Sequence, residues 1–325
     1  MGSGIKAFLA EDWLQFERLF AEMSASRIDI LNRVNKYLVE RSGKQLRPML
    51  CLLAARLCAG ECNTASIRCA VASEMIHTAT LIHDDVADES STRRGSPTVS
   101  ALLSPSAAVL VGDYWLSRGV WAILDADDSE IFRYFTACLK DLAEGEMFQI
   151  EKAASLDTTY DDYIFVIAHK TASLFCAAMK SGARSVIANQ ADGAAQEGKL
   201  EAVEQFAYHL GLAFQMRDDI MDYSPQMSIG KPTGVDIAER KITLPLLGAI
   251  ANAGAGAREQ VVDDIENGRF TRVLEFVAAN HGLEYAQKVL ENETSLAVAA
   301  LDIFEDSAAR TLLKQLALSL CLREV

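Results

Sequence analysis

Apolar residues recur at three- and four-residue spacing along most of this chain, and the β-branched alternation expected of strands is missing. Phe8 to Met23 and Ile28 to Val39 read as amphipathic helices, the second beginning after the serine-rich cap Ser24 to Ser26. Ser42-Gly43 stops that helix, and the next is predicted from about Pro48, an acceptable first-turn proline, to Ala59. Ala65 to Asp88 is a longer helix with a small, apolar run from Cys69 to Ile82. Pro97 to Asp125, Ser129 to Ala154, Tyr160 to Ala188 and Lys199 to Tyr223 follow. Ser224 to Gly234 holds two prolines and two glycines and reads as a loop. Helices resume near Leu244, with breaks at Gly254-Ala255-Gly256 and at Gly268. No proline occurs between Pro105 and Pro225, which agrees with long uninterrupted helices. The prediction is a single all-α domain over 1–325, about a dozen helices around a central apolar cavity, with residues 1–4 an appended remnant.

Composition narrows the class. Half of the 325 residues are hydrophobic, enough to fill a sizeable core, and the net charge of -14 argues against a nucleic-acid surface. It leaves anionic substrates open, because basic residues can still gather locally. Cys51, Cys58, Cys62, Cys69, Cys138, Cys176 and Cys321 form no CxxC pair and lie mostly in apolar helical stretches. They read as buried free thiols of a reducing cytoplasm. No signal peptide is visible, and no apolar run approaches the ~18–20 residues needed to span a bilayer.

The chemistry lies in two acidic clusters. Asp84-Asp85-Val86-Ala87-Asp88 closes one apolar helical run, and Asp218-Asp219-Ile220-Met221-Asp222 closes another. Residues at i and i+4 leave one face of a helix, where like charges repel, so each cluster asks for a cation. Paired carboxylates suit hard divalent ions, and Mg²⁺ binds through few carboxylates plus water and substrate phosphates. Two such clusters predict a diphosphate bridged by Mg²⁺. The flanking cations fit this picture. Lys44 and Arg47 lie near a loop–helix junction, Arg93-Arg94 just beyond the first cluster, Lys170-Thr171 inside an apolar helix, and Lys231 and Lys241 after the second cluster. Each alone would be an ordinary surface charge; together they point to two phosphate-bearing substrates.

The order and spacing of these pieces, from Gly43-Lys44-Gln45-Leu46-Arg47-Pro48 to Pro245, resemble the trans-isoprenyl diphosphate synthases of the polyprenyl synthetase family. The resemblance implies the isoprenoid synthase fold, usually as a homodimer. It implies that Asp84, Asp85 and Asp88, with Asp218, Asp219 and Asp222, hold three Mg²⁺ and the allylic diphosphate. Asp84, Asp88, Asp218 and Asp222 are the expected metal ligands. Arg93, Lys170, Lys231 and Lys241 match contacts to that diphosphate, assisted by Thr171 and Gln215. Lys44, Arg47, His77 and Arg94 match the isopentenyl diphosphate site. The implied reaction ionises the allylic C–O bond, adds isopentenyl diphosphate to the cation, and gives the lost proton to the released diphosphate. Two positions depart from the pattern: Gln45 stands where a basic residue is common, and Arg240 where glycine is typical.

Product length should be read upstream of the first cluster, over Thr80, Ala79, Ile76 and Ser73. Short-product family members carry a bulky floor near the positions of Ala79 or Thr80, whereas this chain has small residues there. The expected product is therefore a medium- or long-chain all-trans polyprenyl diphosphate of the kind that supplies quinone side chains, released with transient membrane contact. The alternatives are a short-chain farnesyl or geranylgeranyl diphosphate synthase, a non-catalytic partner subunit, and a terpene cyclase.

Overall fold

The structure is a computed structural model, and it describes residues 2–188, 193–223 and 234–321. In chain order it runs through α1 (Gly2–Ser24), α2 (Asp29–Glu40), α3 (Leu46–Ala59), α4 (Thr64–Ala87), the two-residue strands β1 (Thr92–Arg93) and β2 (Ser96–Pro97), α5 (Val99–Leu102) and α6 (Pro105–Leu124). Then come α7 (Ser129–Ser155), α8 (Tyr160–Ile167), a π-helical turn at Ala168–Ala172, α9 (Ser173–Ile187) and α10 (Gly193–Asp222). The rest is α11 (Val235–Ala238), α12 (Leu244–Ala253), α13 (Ala257–Glu266), α14 (Phe270–Ala279), α15 (Gly282–Ala300), a 3-10 turn at Leu301–Ile303 and α16 (Ala308–Cys321). The all-α expectation holds. No helix among the described residues is long and apolar enough to cross a membrane.

Contacts gather the chain into two compact units. The first holds Met1–Thr136, Ala177–Val203 and Asp306–Leu312; the second holds Ala137–Cys176, Glu204–Glu305 and Leu313–Val325. In the first unit α4 is buried on nearly every side from Ser66 to Ile76, as its small apolar run requires. Asn63 caps α4 with a reciprocal capping box to Ser66, satisfying end groups that would otherwise be orphaned. Its close neighbour is α6, and two glycines permit the approach. A Cβ added at Gly119 would come 3.1 Å from Ile76 Cγ1, and one at Gly112 would come 2.2 Å from His83 Nε2. Leu50, Leu52, Leu53, Met75, Ile76 and Trp115 fill the core, each contributing ~1.5–3 kcal/mol by burial. The second unit packs Tyr163, Ile167, Leu212, Met216, Ile220, Leu244, Leu246, Val273 and Leu290 together.

Several elements differ from the sequence reading. The helix expected over Pro97 to Asp125 is interrupted. Ser104 accepts the Ala107 N–H, and Pro105 starts a new helix, the arrangement a proline at the first helical position favours. Before it, β1 and β2 pair across Arg94-Gly95, whose φ values of 51° and 74° match the left-handed pair of a two-residue hairpin turn. The helix expected from Tyr160 to Ala188 carries the π turn at Ala168–Ala172, so α8 and α9 are separate. The loop expected over Ser224 to Gly234 lies outside the described residues, apart from Gly234.

Candidate functional site

In the first unit the chain presents its first acidic cluster at the C-terminal end of α4, where the helix dipole already favours a cation. Asp85 is 6% exposed and accepts from Arg93 Nε at 2.7 Å. Burial pushes its carboxyl up, with Asp88 adding to the rise and Arg93 opposing it. Asp84 is half-buried and Asp88 exposed, one turn apart on the same helix. The middle aspartate is thus pinned while the flanking pair remains on the outer side. His77 lies two turns upstream of Asp84. Burial, followed by the charges of Arg47, Arg94 and Arg93, holds its imidazole well below the usual range. A neutral ring can donate at one nitrogen and accept at the other. Arg94 packs against Gly43, where an added Cβ would meet its Nη1 at 2.0 Å. Arg47, Arg93, Arg94 and His77 are therefore one neighbourhood, with Lys44 in the turn before α3. Of the residues expected to measure the product, Ser73, Ile76 and Ala79 are buried and Thr80 is half-buried.

In the second unit the same design recurs. Asp219 is 4% exposed and accepts from Tyr163 Oη at 2.7 Å and from Gln215 Nε2 at 2.9 Å. Thr171 Oγ1 donates to Gln215 Oε1 at 2.9 Å, so Thr171, Gln215, Asp219 and Tyr163 form one chain of hydrogen bonds. Burial raises Asp219 to about 6, with Asp218 and Asp222 adding to the rise against the two hydrogen bonds. Asp218 is exposed, and Asp222 accepts the backbone N–H of Val235 and of Asp236, tying the end of α10 to the start of α11. Lys170 projects from the π turn to Glu146 and to Gln149 Oε1 at 3.1 Å. Lys241 pairs with Glu239 at 2.5 Å, and its N–H donates to the Asp236 carbonyl at 2.8 Å. Lys231 lies outside the described residues. Arg240 keeps the left-handed backbone a glycine would favour, with φ 62°, and its Nε donates to the Ala153 carbonyl at 3.1 Å.

Three partners escaped the sequence reading. Tyr163 anchors Asp219 but has no motif around it. Asp236 adds a carboxyl beside Asp219 and Asp222, and burial together with those two charges pushes it up to about 8. Its one signal is its place between the second cluster and Lys241. Glu74, buried in α4, resembles any helix acid in sequence. A further trio, Asp141, Glu144 and His169, comes close enough to share an ion. Lys140 already pairs with both of its carboxylates, and His169 stacks on Phe165, so it reads as an ion-paired surface.

The side-chain donors of the two clusters are all carboxylate oxygens, a set that suits a hard divalent cation better than zinc. The helical architecture with an aspartate cluster closing each of two long helices is that of an isoprenoid synthase. A polyprenyl synthase from Caulobacter crescentus, solved with calcium and isoprenyl diphosphate, superposes with a TM-score of 0.89 at 31% identity, covering 100% of this chain and 98% of that one. The profile of the polyprenyl synthetase family matches residues 28–281, and the chain belongs to that family of prenyltransferases. An all-trans-nonaprenyl-diphosphate synthase (geranyl-diphosphate specific) from Rhodobacter capsulatus is 36% identical, covering 96% of this chain and 95% of that protein. The octaprenyl diphosphate synthase of Escherichia coli is 35% identical, covering 96% of each. Both relatives make products of the longer class, in agreement with the main expectation rather than the short-chain alternative.

Proposed function

We propose that this chain condenses isopentenyl diphosphate head to tail onto an allylic diphosphate, giving a medium- or long-chain all-trans polyprenyl diphosphate, and that its two units act as one catalytic domain. The observation that carries the reading is the shared design of the two acidic clusters. In each, the middle aspartate is buried and pinned, by Arg93 in one and by Tyr163 and Gln215 in the other, while its neighbours stand at the helix end.

Asp84, Asp88, Asp218 and Asp222 would hold three Mg²⁺, which when bound neutralise the charge developing on the allylic diphosphate as its C–O bond breaks. Arg93, Lys170, Lys231 and Lys241 would add positive charge beside that leaving group. Lys170 enters this role from a π turn, a distortion that re-aims one side chain within an otherwise regular helix. Thr171 and Gln215 keep Asp219 in position. Lys44, Arg47 and Arg94 bind the diphosphate of the second substrate, and the neutral His77 adds a hydrogen bond. Apolar helix faces exclude water that would quench the allylic cation. The released diphosphate takes the lost proton.

The family usually works as a homodimer, and α6 offers a face for one: Leu110, Trp121 and Leu124 are exposed along one side of the helix. The product, a long lipid, would leave by transient membrane contact.

The test is incubation of the purified chain with Mg²⁺, labelled isopentenyl diphosphate and a set of allylic primers, followed by chromatography of the products. All-trans products longer than geranylgeranyl diphosphate, abolished by chelation, are expected. Products no longer than geranylgeranyl would place it among the short-chain synthases. Absence of turnover would point to a partner subunit, and cyclic hydrocarbon formed without isopentenyl diphosphate to a cyclase.

A further inference from the structure

Glu74 sits inside α4, one turn before His77, and is 4% exposed; its Oε2 is buried with no hydrogen-bond partner among the described residues. A buried carboxylate in that condition is costly unless cations stand near it. Burial raises its pKa to about 7, and three charges pull against burial: Arg47 from α3, Arg94 from the hairpin turn, and Lys6 from α1. The first two were assigned to the second diphosphate. Lys6 was assigned to nothing.

The placement of Lys6 is specific. Its Nζ donates to Gln45 Oε1 at 3.4 Å and lies 4.3 Å from the centre of the Trp13 ring. Lys6 is half-buried, and these two contacts place its ammonium beside the stretch that carries Lys44 and leads into Arg47. Gln45 itself caps the start of α3 in a left-handed conformation, with φ 52°. Lys6, Arg47 and Arg94 thus all act on one carboxylate, which places Lys6 in the same cationic neighbourhood as the two arginines.

We propose that Lys6 is a further binding residue for isopentenyl diphosphate, supplying beside Gln45 a cation that position 45 does not carry. The proposal rests on the reading of Lys44, Arg47 and Arg94 as that substrate's site. α1 then does more than cover the core, because its N-terminal turn brings a charge to a turn 39 residues further along the chain.

The experiment measures steady-state kinetics of Lys6→Met, which keeps the stem over Trp13 and removes the charge, beside Lys6→Arg and Lys6→Met/Gln45→Lys. Loss of one charge-assisted contact predicts a rise of about tenfold in KM for isopentenyl diphosphate, with kcat and the allylic KM within about twofold. Lys6→Arg should stay near wild type, and the double variant should recover most of the loss. Thermal melting of each variant separates a folding defect from a binding one. An unchanged KM for isopentenyl diphosphate, an equal rise in the allylic KM, or no recovery by Gln45→Lys would overturn the proposal. If wild type itself shows no condensation, the proposed function fails instead, so the two failures are distinguishable.

Discussion

At the scale of single residues, the aspartates could be found from spacing alone, because i and i+4 carboxylates repeated after two apolar runs have few bland explanations. Their supports were harder to find. Tyr163 and Asp219 are separated by 56 positions, and only folding brings them to 2.7 Å. Glu74 and Lys6 look like solvated helix charges in sequence, and burial alone distinguishes them. Burial also makes Glu74 testable through pH. Its ordinary pKa of 4.5 becomes about 7 in the folded chain. Below 4.5 the carboxyl is protonated folded or unfolded, and no penalty exists. Between 4.5 and 7 the unfolded chain releases the proton while the folded chain keeps it, so stability falls as pH rises. The full penalty is present above 7 and, at about 1.36 kcal/mol per pH unit, is on the order of 3 kcal/mol. Glu74→Gln, which cannot ionise, should melt like wild type near pH 4.5 and clearly higher at pH 8. Equal melting differences at both pH values would show that Glu74 is not held in this way.

At the scale of elements, most helices could be read from apolar periodicity, and the misses share a cause. A π turn takes one extra residue into a single turn of an otherwise α-helical run, and so local a shift in phase at Ala168–Ala172 left no trace in the apolar pattern. The hairpin around Arg94-Gly95 is too short for any alternation to register. The break before α6 was readable in Ser104-Pro105, but continuous apolar residues on both sides concealed it. The same burial changes how α4 can measure a product. Ala79 is packed away, so Ala79→Phe would overfill the core at a cost of about 1–3 kcal/mol, and a shortened product would be hard to separate from damage. Thr80 is half-buried and lies four residues, about one turn, before Asp84 on the same side of the helix. Thr80→Phe should shorten the product with little loss of stability, as chromatography beside a melting curve would show. Unchanged product length in a well-folded Thr80→Phe variant would remove this face of α4 from the elongation path.

At the scale of the whole molecule, what remains exposed is as informative as what is buried. Leu110 is 69% exposed and Trp121 58%, and Ser117 and Leu124 share their side of α6 at spacings of seven, four and three residues. Leu102 at the end of α5 and Leu103 just after it are exposed as well. A run of large apolar residues along one helix face, open to water, marks an interaction surface. A second copy of the chain is the occupant the family resemblance supplies, and a stable pair needs about 800 Å² from each partner. Sequence alone could not show this face, because an apolar stripe on a helix looks the same whether it meets its own core or another chain. Leu110→Glu/Trp121→Glu places two charges on the face at exposed positions, and exposed substitutions of this kind usually change stability by within about 0.5 kcal/mol. In sedimentation velocity the wild type should run as a dimer and the double variant as a folded monomer. A monomeric wild type, or a double variant that stays dimeric, would mean that α6 faces solvent or some other partner.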